Sequence, residues 1–259
     1  MTAATWVLHV AADLDEVNRH WAALVEAGML GAAEIDGHTA VYFAQRATDL
    51  GLAGEWERIA HQDWHARWRA GLAPVVAGRW TVTPTWHATG AAHELVIDPG
   101  QAFGTGHHET TVSCLRALDE LPLPGRRLLD LGTGSGILAI AAARRGARVV
   151  AVDTDPLAVD AAHANAQRNG VALDLRLGDN GTVAGERFDV VVANLDTPTL
   201  TRLADELAGL LARDGTLILS GVGNDNAAAV AGALRDAGLD VTTTTGVEWA
   251  LVRARPVTA

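Results

Sequence analysis

A glycine-rich turn is the first feature of this 259-residue sequence that could bind a ligand. Residues 127–136 read Arg-Leu-Leu-Asp-Leu-Gly-Thr-Gly-Ser-Gly, so an apolar strand runs directly into Gly132, Gly134 and Gly136. Glycine permits unusual backbone dihedrals and lets the backbone approach a ligand closely. The dinucleotide fingerprint requires glycine where this chain has Ile137, which disfavours a dinucleotide and leaves it as an alternative.

Three polar residues that follow predicted strands can each hold part of a nucleoside. Asp153 ends the strand 148–152 and can accept hydrogen bonds from both ribose hydroxyls; its alternative is helix capping, for which Asp155 is the better candidate. Asp179 ends the next strand and can accept an adenine amino group, or it is an ordinary turn residue. Asn194 ends the fourth strand. Because ligands bind outside the carboxyl ends of such strands, four strand ends predict one binding crevice.

The elements that must position these residues alternate between strand and helix in the second half of the chain. Strands are predicted at 127–131, 148–152, 173–177, 188–194 and 216–220, with helices at 109–120, 137–145, 156–169, 199–212 and 225–237. This alternation implies right-handed crossovers and a doubly wound, mostly parallel sheet. The final strands, 241–244 and 248–253, have no helix between them and should add an antiparallel strand. The prediction is an α/β, Rossmann-like sheet of seven strands.

The first 90 residues differ in composition, since they hold seven of the eight tryptophans. A strand, a helix that starts at Asp13 and a hairpin around Asp36-Gly37 predict a small α+β domain of the ferredoxin-like type. A connector with a helix around Trp64 and Trp68 and short strands should follow. The predicted division is a small domain at 1–58, the connector at 59–90 and the catalytic domain at 91–259.

The composition excludes several classes of protein. All 20 basic residues are arginine, so neither a P-loop lysine nor a pyridoxal Schiff-base lysine is available. A net charge of −11 argues against a general nucleic-acid binder. The single cysteine, Cys114, fits a reducing cytoplasm, and we expect a cytoplasmic protein without a membrane segment. His107 and His108 lack the spacing of a metal site, so no metal is predicted.

The segment that precedes the helix at 109–120 narrows the assignment. Residues 97–111 read Ile-Asp-Pro-Gly-Gln-Ala-Phe-Gly-Thr-Gly-His-His-Glu-Thr-Thr. Together with the glycine turn, this stretch resembles the signature of the ribosomal protein L11 methyltransferases, the PrmA family of class I S-adenosylmethionine-dependent methyltransferases. Asp63-Trp64, Trp68 and Pro74 also resemble that family's connector, so the likeness spans about residues 56–256.

The resemblance implies S-adenosylmethionine as the cofactor and assigns it several contacts. Thr111, Gly132, Asp153 and Asn194 should touch the cofactor, and Phe103 and Thr105 should belong to a loop that covers it. The turn and strand-end patterns add Gly134 and Asp179 to the predicted cofactor site.

The implied reaction is N-methylation of lysine side chains or the N-terminal amine of a large-subunit ribosomal protein, L11, free or on the assembling ribosome. Asn194 is the predicted catalytic residue, because its carbonyl oxygen can orient a neutral amine. Asp196 is an alternative as a general base, or it holds the ammonium, and Asp196-Thr197-Pro198 departs from the family pattern. The small domain should recognise the substrate of a monomeric enzyme that needs neither nucleic acid nor a membrane. The alternatives are methylation of another protein or a small-molecule amine, and a non-catalytic nucleotide-binding module.

Overall fold

The computed structural model describes residues 4–35, 37–48, 50–60, 73–98 and 106–257. The chain divides into two compact units, residues 1–73 and 74–259. This division falls inside the predicted connector, because Ala77, Trp80 and Val82 are buried in the core of the second unit. The helix predicted around Trp64 and Trp68 lies outside the described residues.

The first unit contains a four-stranded antiparallel sheet and two short helices. Its elements are β1 (Ala4–Val10), α1 (Leu14–Asn18), α2 (Trp21–Glu26), β2 (Met29–Ile35), β3 (His38–Phe43) and β4 (Glu55–Ala60), in the strand order β2-β3-β1-β4. A ferredoxin-like βαββαβ domain carries a second crossover helix between β3 and β4. The described residues between these strands hold none, so the ferredoxin-like type stays a prediction.

Two helices replace the single helix that was expected after Asp13. The Asp13 side chain accepts a hydrogen bond from the Glu16 backbone N–H at 2.8 Å and so caps α1. The His20 N–H then bonds to the Val17 carbonyl three residues back, a tight turn that ends α1 before α2 begins. Val17 and Leu24, one on each helix, are both fully buried. Core packing therefore continues across the break.

The second unit contains a small three-stranded sheet and a large seven-stranded one. The small sheet is β5 (Val75–Ala77), β6 (Trp80–Thr83) and β7 (Glu94–Val96). The remaining elements are α3 (Glu109–Asp119), β8 (Arg127–Leu131), α4 (Ile137–Arg144), β9 (Arg148–Asp153), α5 (Pro156–Arg168), β10 (Asp174–Leu177), β11 (Phe188–Asn194), α6 (Thr197–Arg202), α7 (Ala204–Gly209), β12 (Leu211–Gly223), α8 (Ala227–Asp236), β13 (Leu239–Thr245) and β14 (Trp249–Pro256).

The large sheet has the order β10-β9-β8-β11-β12-β14-β13. Its strands β8 to β12 pair in parallel, whereas β14 pairs antiparallel with both β12 and β13. The predicted doubly wound α/β sheet with an antiparallel last strand is confirmed. The chain order reverses between β8 and β11, which places the carboxyl ends of β8, β9, β10 and β11 along one edge, where such sheets bind ligands.

Two elements of the second unit differ most from the prediction. The helix expected over 199–212 is two helices, α6 and α7, which meet at Leu203, whose backbone (φ −90°, ψ 6°) leaves the helical region. The strand expected at 216–220 is longer and begins at Leu211. Both changes bury leucines, because Leu203, Leu207, Leu210 and Leu211 all join the core under the sheet.

Arginine side chains tie loops to the helices of this unit. Arg144 donates to the backbone carbonyl of Ala92 at 2.8 Å, and Arg145 donates to that of Leu121 at 2.7 Å. The fork of the guanidinium group suits such contacts because it presents several donors in fixed directions.

Candidate active site at the carboxyl ends of the parallel strands

The glycine turn lies between β8 and α4 and is held against β9. The N–H groups of Gly132 and Thr133 both donate to the Val152 carbonyl, at 2.8 and 3.0 Å. Gly132 and Gly134 have φ values of 75° and 53°, a left-handed conformation that favours glycine. A Cβ on Gly132 would also lie 2.4 Å from Leu195 Cδ2. The backbone path of the turn therefore accounts for glycine at 132 and 134.

Asp153 stands at the end of β9 and reaches back to the turn. Its Oδ2 accepts from the Gly134 N–H at 2.8 Å, and its Oδ1 accepts from the Asp155 N–H at 3.0 Å. The cap of α5 is Asp155, which accepts from the Leu157 N–H at 2.9 Å. A carboxylate offers about four lone-pair positions, so Asp153 keeps acceptor capacity for hydroxyl groups of a ligand.

Asp179 lies in the turn after β10, and the preceding residue, Gly178, contacts the end of β9. The Gly178 N–H donates to the Asp153 backbone carbonyl at 2.8 Å, which ties the ends of the two strands together. The Asp179 side chain accepts from the Gly181 N–H at 2.9 Å, the bond of a turn residue. This geometry fits the alternative interpretation of Asp179 as an ordinary turn residue, and its contact with adenine stays a prediction.

Asn194 ends β11 and bonds to the first turn of α3. Its Nδ2 donates to Thr110 Oγ1 at 3.0 Å and reaches Thr111 Oγ1 at 3.4 Å. Both threonines are 1% exposed. The structure thus brings together Asn194 and Thr111, two of the residues predicted to hold the cofactor. Phe103 and Thr105, predicted to cover it, lie outside the described residues.

The side chains next to Asn194 and Thr111 have structural partners of their own. Asp196 accepts from the Thr199 N–H at 2.9 Å and the Thr199 hydroxyl at 3.0 Å, so it caps α6. Glu109 accepts from the N–H groups of Val247 and Glu248, at 2.7 and 3.1 Å, and so ties α3 to the β13–β14 turn. These hydrogen bonds give Asp196 and Glu109 a structural role that does not require catalysis.

A buried carboxyl that the sequence analysis missed lies under the glycine turn. Asp130, the last residue but one of β8, is 1% exposed. Its Oδ2 accepts from the Thr133 hydroxyl at 2.7 Å and the Ala139 N–H at 3.1 Å, which connects β8, the turn and the first turn of α4. Burial raises the pKa of Asp130 to about 7, and the nearby Asp153 adds to that rise. An acid inside the apolar run Leu-Leu-Asp-Leu is the feature that could have identified it.

Comparison of the chain with protein families agrees with this arrangement of residues. The model of the family described as ribosomal protein L11 methyltransferase (PrmA) matches residues 11–256. The chain belongs to that family. The ribosomal protein L11 methyltransferase of Deinococcus radiodurans is 41% identical over 261 residues, which cover 93% of this chain and 95% of that protein. The Thermus thermophilus protein of the same name is 39% identical over 235 residues, 90% of this chain and 92% of its own.

A solved structure agrees with the membership. The crystal structure of a ribosomal protein L11 methylase from Lactobacillus delbrueckii subsp. bulgaricus superimposes with a TM-score of 0.66 at 27% identity. It covers 72% of this chain and 100% of that chain. The resemblance to the PrmA family in residues 97–111 is therefore confirmed over most of the chain.

Two properties of the described residues complete the site. No group of three or more histidine, cysteine, aspartate or glutamate side chains is arranged to hold a metal ion in the described ranges. None of the described helices combines the length and the hydrophobicity needed to cross a membrane.

Proposed function

We propose that this chain transfers methyl groups from S-adenosylmethionine to amines of ribosomal protein L11. The main support is that the glycine turn, Asp153, Asn194 and Thr111 lie together at the carboxyl ends of β8, β9 and β11. This arrangement occurs in a chain of the PrmA family. The amines are lysine side chains, the N-terminal amine, or both. The enzyme acts as a cytoplasmic monomer on its ribosomal-protein substrate, without nucleic acid or membrane.

The residues at the site fit an S-adenosyl group. Asp153 keeps free acceptor positions for two ribose hydroxyls while its bonds to Gly134 and Asp155 fix its direction. Gly134, whose left-handed backbone favours glycine, places no side chain beside the Asp153 carboxylate to which its N–H bonds. When bound, the cofactor supplies a methyl group on a sulfonium, whose C–S bond breaks as the amine nitrogen forms the C–N bond.

The protein must present a neutral amine to that methyl group. A lysine with pKa about 10.4 costs roughly 4.6 kcal/mol to deprotonate at pH 7, and desolvation lowers that cost. Asn194 donates its N–H groups to threonine hydroxyls, and its Oδ1 accepts no hydrogen bond from the described residues. Oδ1 can therefore accept an N–H of the amine and aim the nitrogen lone pair, without itself taking a proton.

The charge of the enzyme supports an amine-bearing partner. The net charge of −11 attracts a basic protein, because complementary potentials speed encounter. Asp196 is committed to capping α6, which favours Asn194 over Asp196 as the residue that meets the amine.

Incubation with methyl-labelled S-adenosylmethionine and purified L11, followed by mass spectrometry, tests the proposal. Labelled L11 is expected, and absence of label at saturating cofactor contradicts the proposed substrate. Asn194→Ala should lower kcat at least roughly tenfold by removing the orienting carbonyl. Asp196→Ala should lower stability by about 1 kcal/mol as a lost cap while kcat stays within about twofold. A collapse of kcat in Asp196→Ala alone would instead make Asp196 the base.

A further inference from the structure

The direction of the hydrogen bonds around Thr110 is fixed by its own backbone. The Thr110 N–H approaches His108 Nδ1 at 3.3 Å, and the Thr110 hydroxyl lies 2.7 Å from the same nitrogen. An N–H group can only donate, so His108 Nδ1 must carry a lone pair. Were Nδ1 protonated, two N–H donors would face each other and a buried N–H in the first turn of α3 would lose its partner. His108 is therefore neutral, with its proton on Nε2.

This tautomer determines the roles in the next bond. Because His108 Nδ1 accepts, the Thr110 hydroxyl donates its single proton to that nitrogen and has only lone pairs left for Asn194. The Asn194 group that meets Thr110 Oγ1 at 3.0 Å must then be the Nδ2 donor. Thr111 Oγ1, at 3.4 Å, takes the second amide proton. The Asn194 Oδ1 is thereby turned away from α3.

We propose that His108 is a positioning residue that sets the orientation of the Asn194 amide through the Thr110 hydroxyl. The inference rests on the proposed function, since the orientation matters only if Oδ1 receives the substrate amine. In the observed orientation, Oδ1 accepts an amine N–H and leaves the nitrogen lone pair free to attack. In the flipped orientation, Nδ2 would donate to that lone pair and occupy it, which prevents attack.

The His108 ring is held by contacts on two elements. It caps α3 through the Thr110 N–H, and it packs edge to face against Trp249 at the start of β14, with ring centroids 5.1 Å apart. Glu109 binds the backbone of the turn before Trp249. The ring therefore stays in place when the hydroxyl between it and Asn194 is removed.

Three variants separate the positioning role from the cap. Thr110→Val deletes the hydroxyl at nearly constant shape and keeps the backbone N–H on His108 Nδ1. The helix cap is therefore kept, whereas the hydrogen-bonded connection from His108 through the hydroxyl to Asn194 (the relay) is lost. Thr110→Ser restores the hydroxyl. His108→Asn keeps an acceptor at a favourable N-cap position. Thr216→Val, at a buried threonine near the opposite ends of the strands, is the matched control for losing a buried hydroxyl.

Steady-state kinetics with L11 measure the effect on the reaction. Thr110→Val should lower kcat roughly tenfold with the KM for L11 within about threefold, because a lost orientation acts on the reacting geometry. Thr110→Ser and His108→Asn should each keep most of the wild-type kcat, and Thr216→Val should not lower kcat. A Thr110→Val enzyme with normal kcat overturns the proposal, as does a Thr110→Ser enzyme as slow as the valine variant.

A ring-nitrogen NMR measurement tests the relay without any turnover. Long-range ¹H–¹⁵N spectra of the wild-type protein at pH 8, assigned with His108→Asn, should show the Nε2–H tautomer for His108. The Nδ1–H tautomer or an imidazolium overturns the proposal. If L11 remains unmethylated while the Nε2–H tautomer is found, the proposed substrate fails and the hydrogen-bond direction stands. The kinetic comparison is then made on the amine substrate that the enzyme does label.

Discussion

The buried carboxyl of Asp130 should make the stability of the second unit depend on pH. Burial raises the pKa of Asp130 from the ordinary 3.8 to about 7. Between these values the folded state keeps a proton that the unfolded state has released, so the free energy of unfolding falls as pH rises. Each unit of pKa difference corresponds to about 1.36 kcal/mol, which gives a loss of about 4 kcal/mol between pH 3.8 and pH 7 and no further loss well above 7.

Asp130→Asn isolates this contribution. The amide oxygen can accept from the Thr133 hydroxyl and the Ala139 N–H as Oδ2 does, but the side chain has no charge to bury. The variant should therefore gain about 2.7 kcal/mol relative to the wild type when the pH is raised from 5 to 8. Urea unfolding of both proteins at the two pH values, followed by circular dichroism, measures the difference.

An exposed aspartate supplies the control for Asp130→Asn. Asp240 lies on β13 and is exposed, so its carboxylate is solvated in the folded and the unfolded chain. Asp240→Asn should keep the same stability relative to the wild type at pH 5 and at pH 8. If Asp130→Asn behaves in the same way, within about 0.5 kcal/mol, the cost assigned to burying the Asp130 charge is wrong.

Three further predictions concern the cofactor and the substrate. Asp153→Ala should weaken S-adenosylmethionine binding at least tenfold in calorimetry, because hydrogen bonds to a charged group are worth about 1.5–3 kcal/mol. The control Asp155→Ala, which only uncaps α5, should leave the dissociation constant unchanged. Equal dissociation constants for the two variants would contradict the assignment of Asp153 to the ribose. Gly134→Ala should weaken cofactor binding more than Gly125→Ala does, because Gly125 also has a positive φ but has open space around it. Equal effects of the two variants on cofactor binding would mean that backbone strain alone causes the loss. A chain that begins at Pro74 should bind the cofactor but lose most methylation of L11, since residues 1–73 form a separate compact unit; unchanged methylation would show that the small domain does not recognise the substrate.

The sequence predicted best those elements whose boundaries are set by local chemistry. The strands at 127–131 and 188–194 have the predicted limits, because each is a short, mostly apolar run between turn-forming residues. The helix α5 begins where Asp155-Pro156 predicts, since the aspartate caps it and proline suits its first turn. The break at Leu203 has neither glycine nor proline to mark it, and only packing of leucines in the core separates α6 from α7.

The site was predictable where its residues follow strands and unpredictable where distant segments meet. The glycine turn, Asp153 and Asn194 could be located because each comes directly after an apolar strand. The bond between Asn194 and Thr110 joins residues 84 positions apart, and no local pattern predicts which hydroxyl the amide will find. The spacing of His107 and His108 in the sequence bears only on a metal site, whereas the bond of His108 to a hydroxyl depends on the three-dimensional path of α3.

The loops of the enzyme are tied to its helices by arginines such as Arg144 and Arg145, which carry no primary amine. A lysine in either place would carry a primary amine, the functional group that the proposed reaction consumes. A guanidinium group stays protonated and spreads its electrons over three nitrogens, so it is a poor nucleophile toward a sulfonium. Because the chain contains no lysine, it has no side-chain amine that could compete with the substrate or be consumed by self-modification. Apart from the α-amine of the chain, methyl label transferred to amines in a reaction mixture should therefore report the substrate alone.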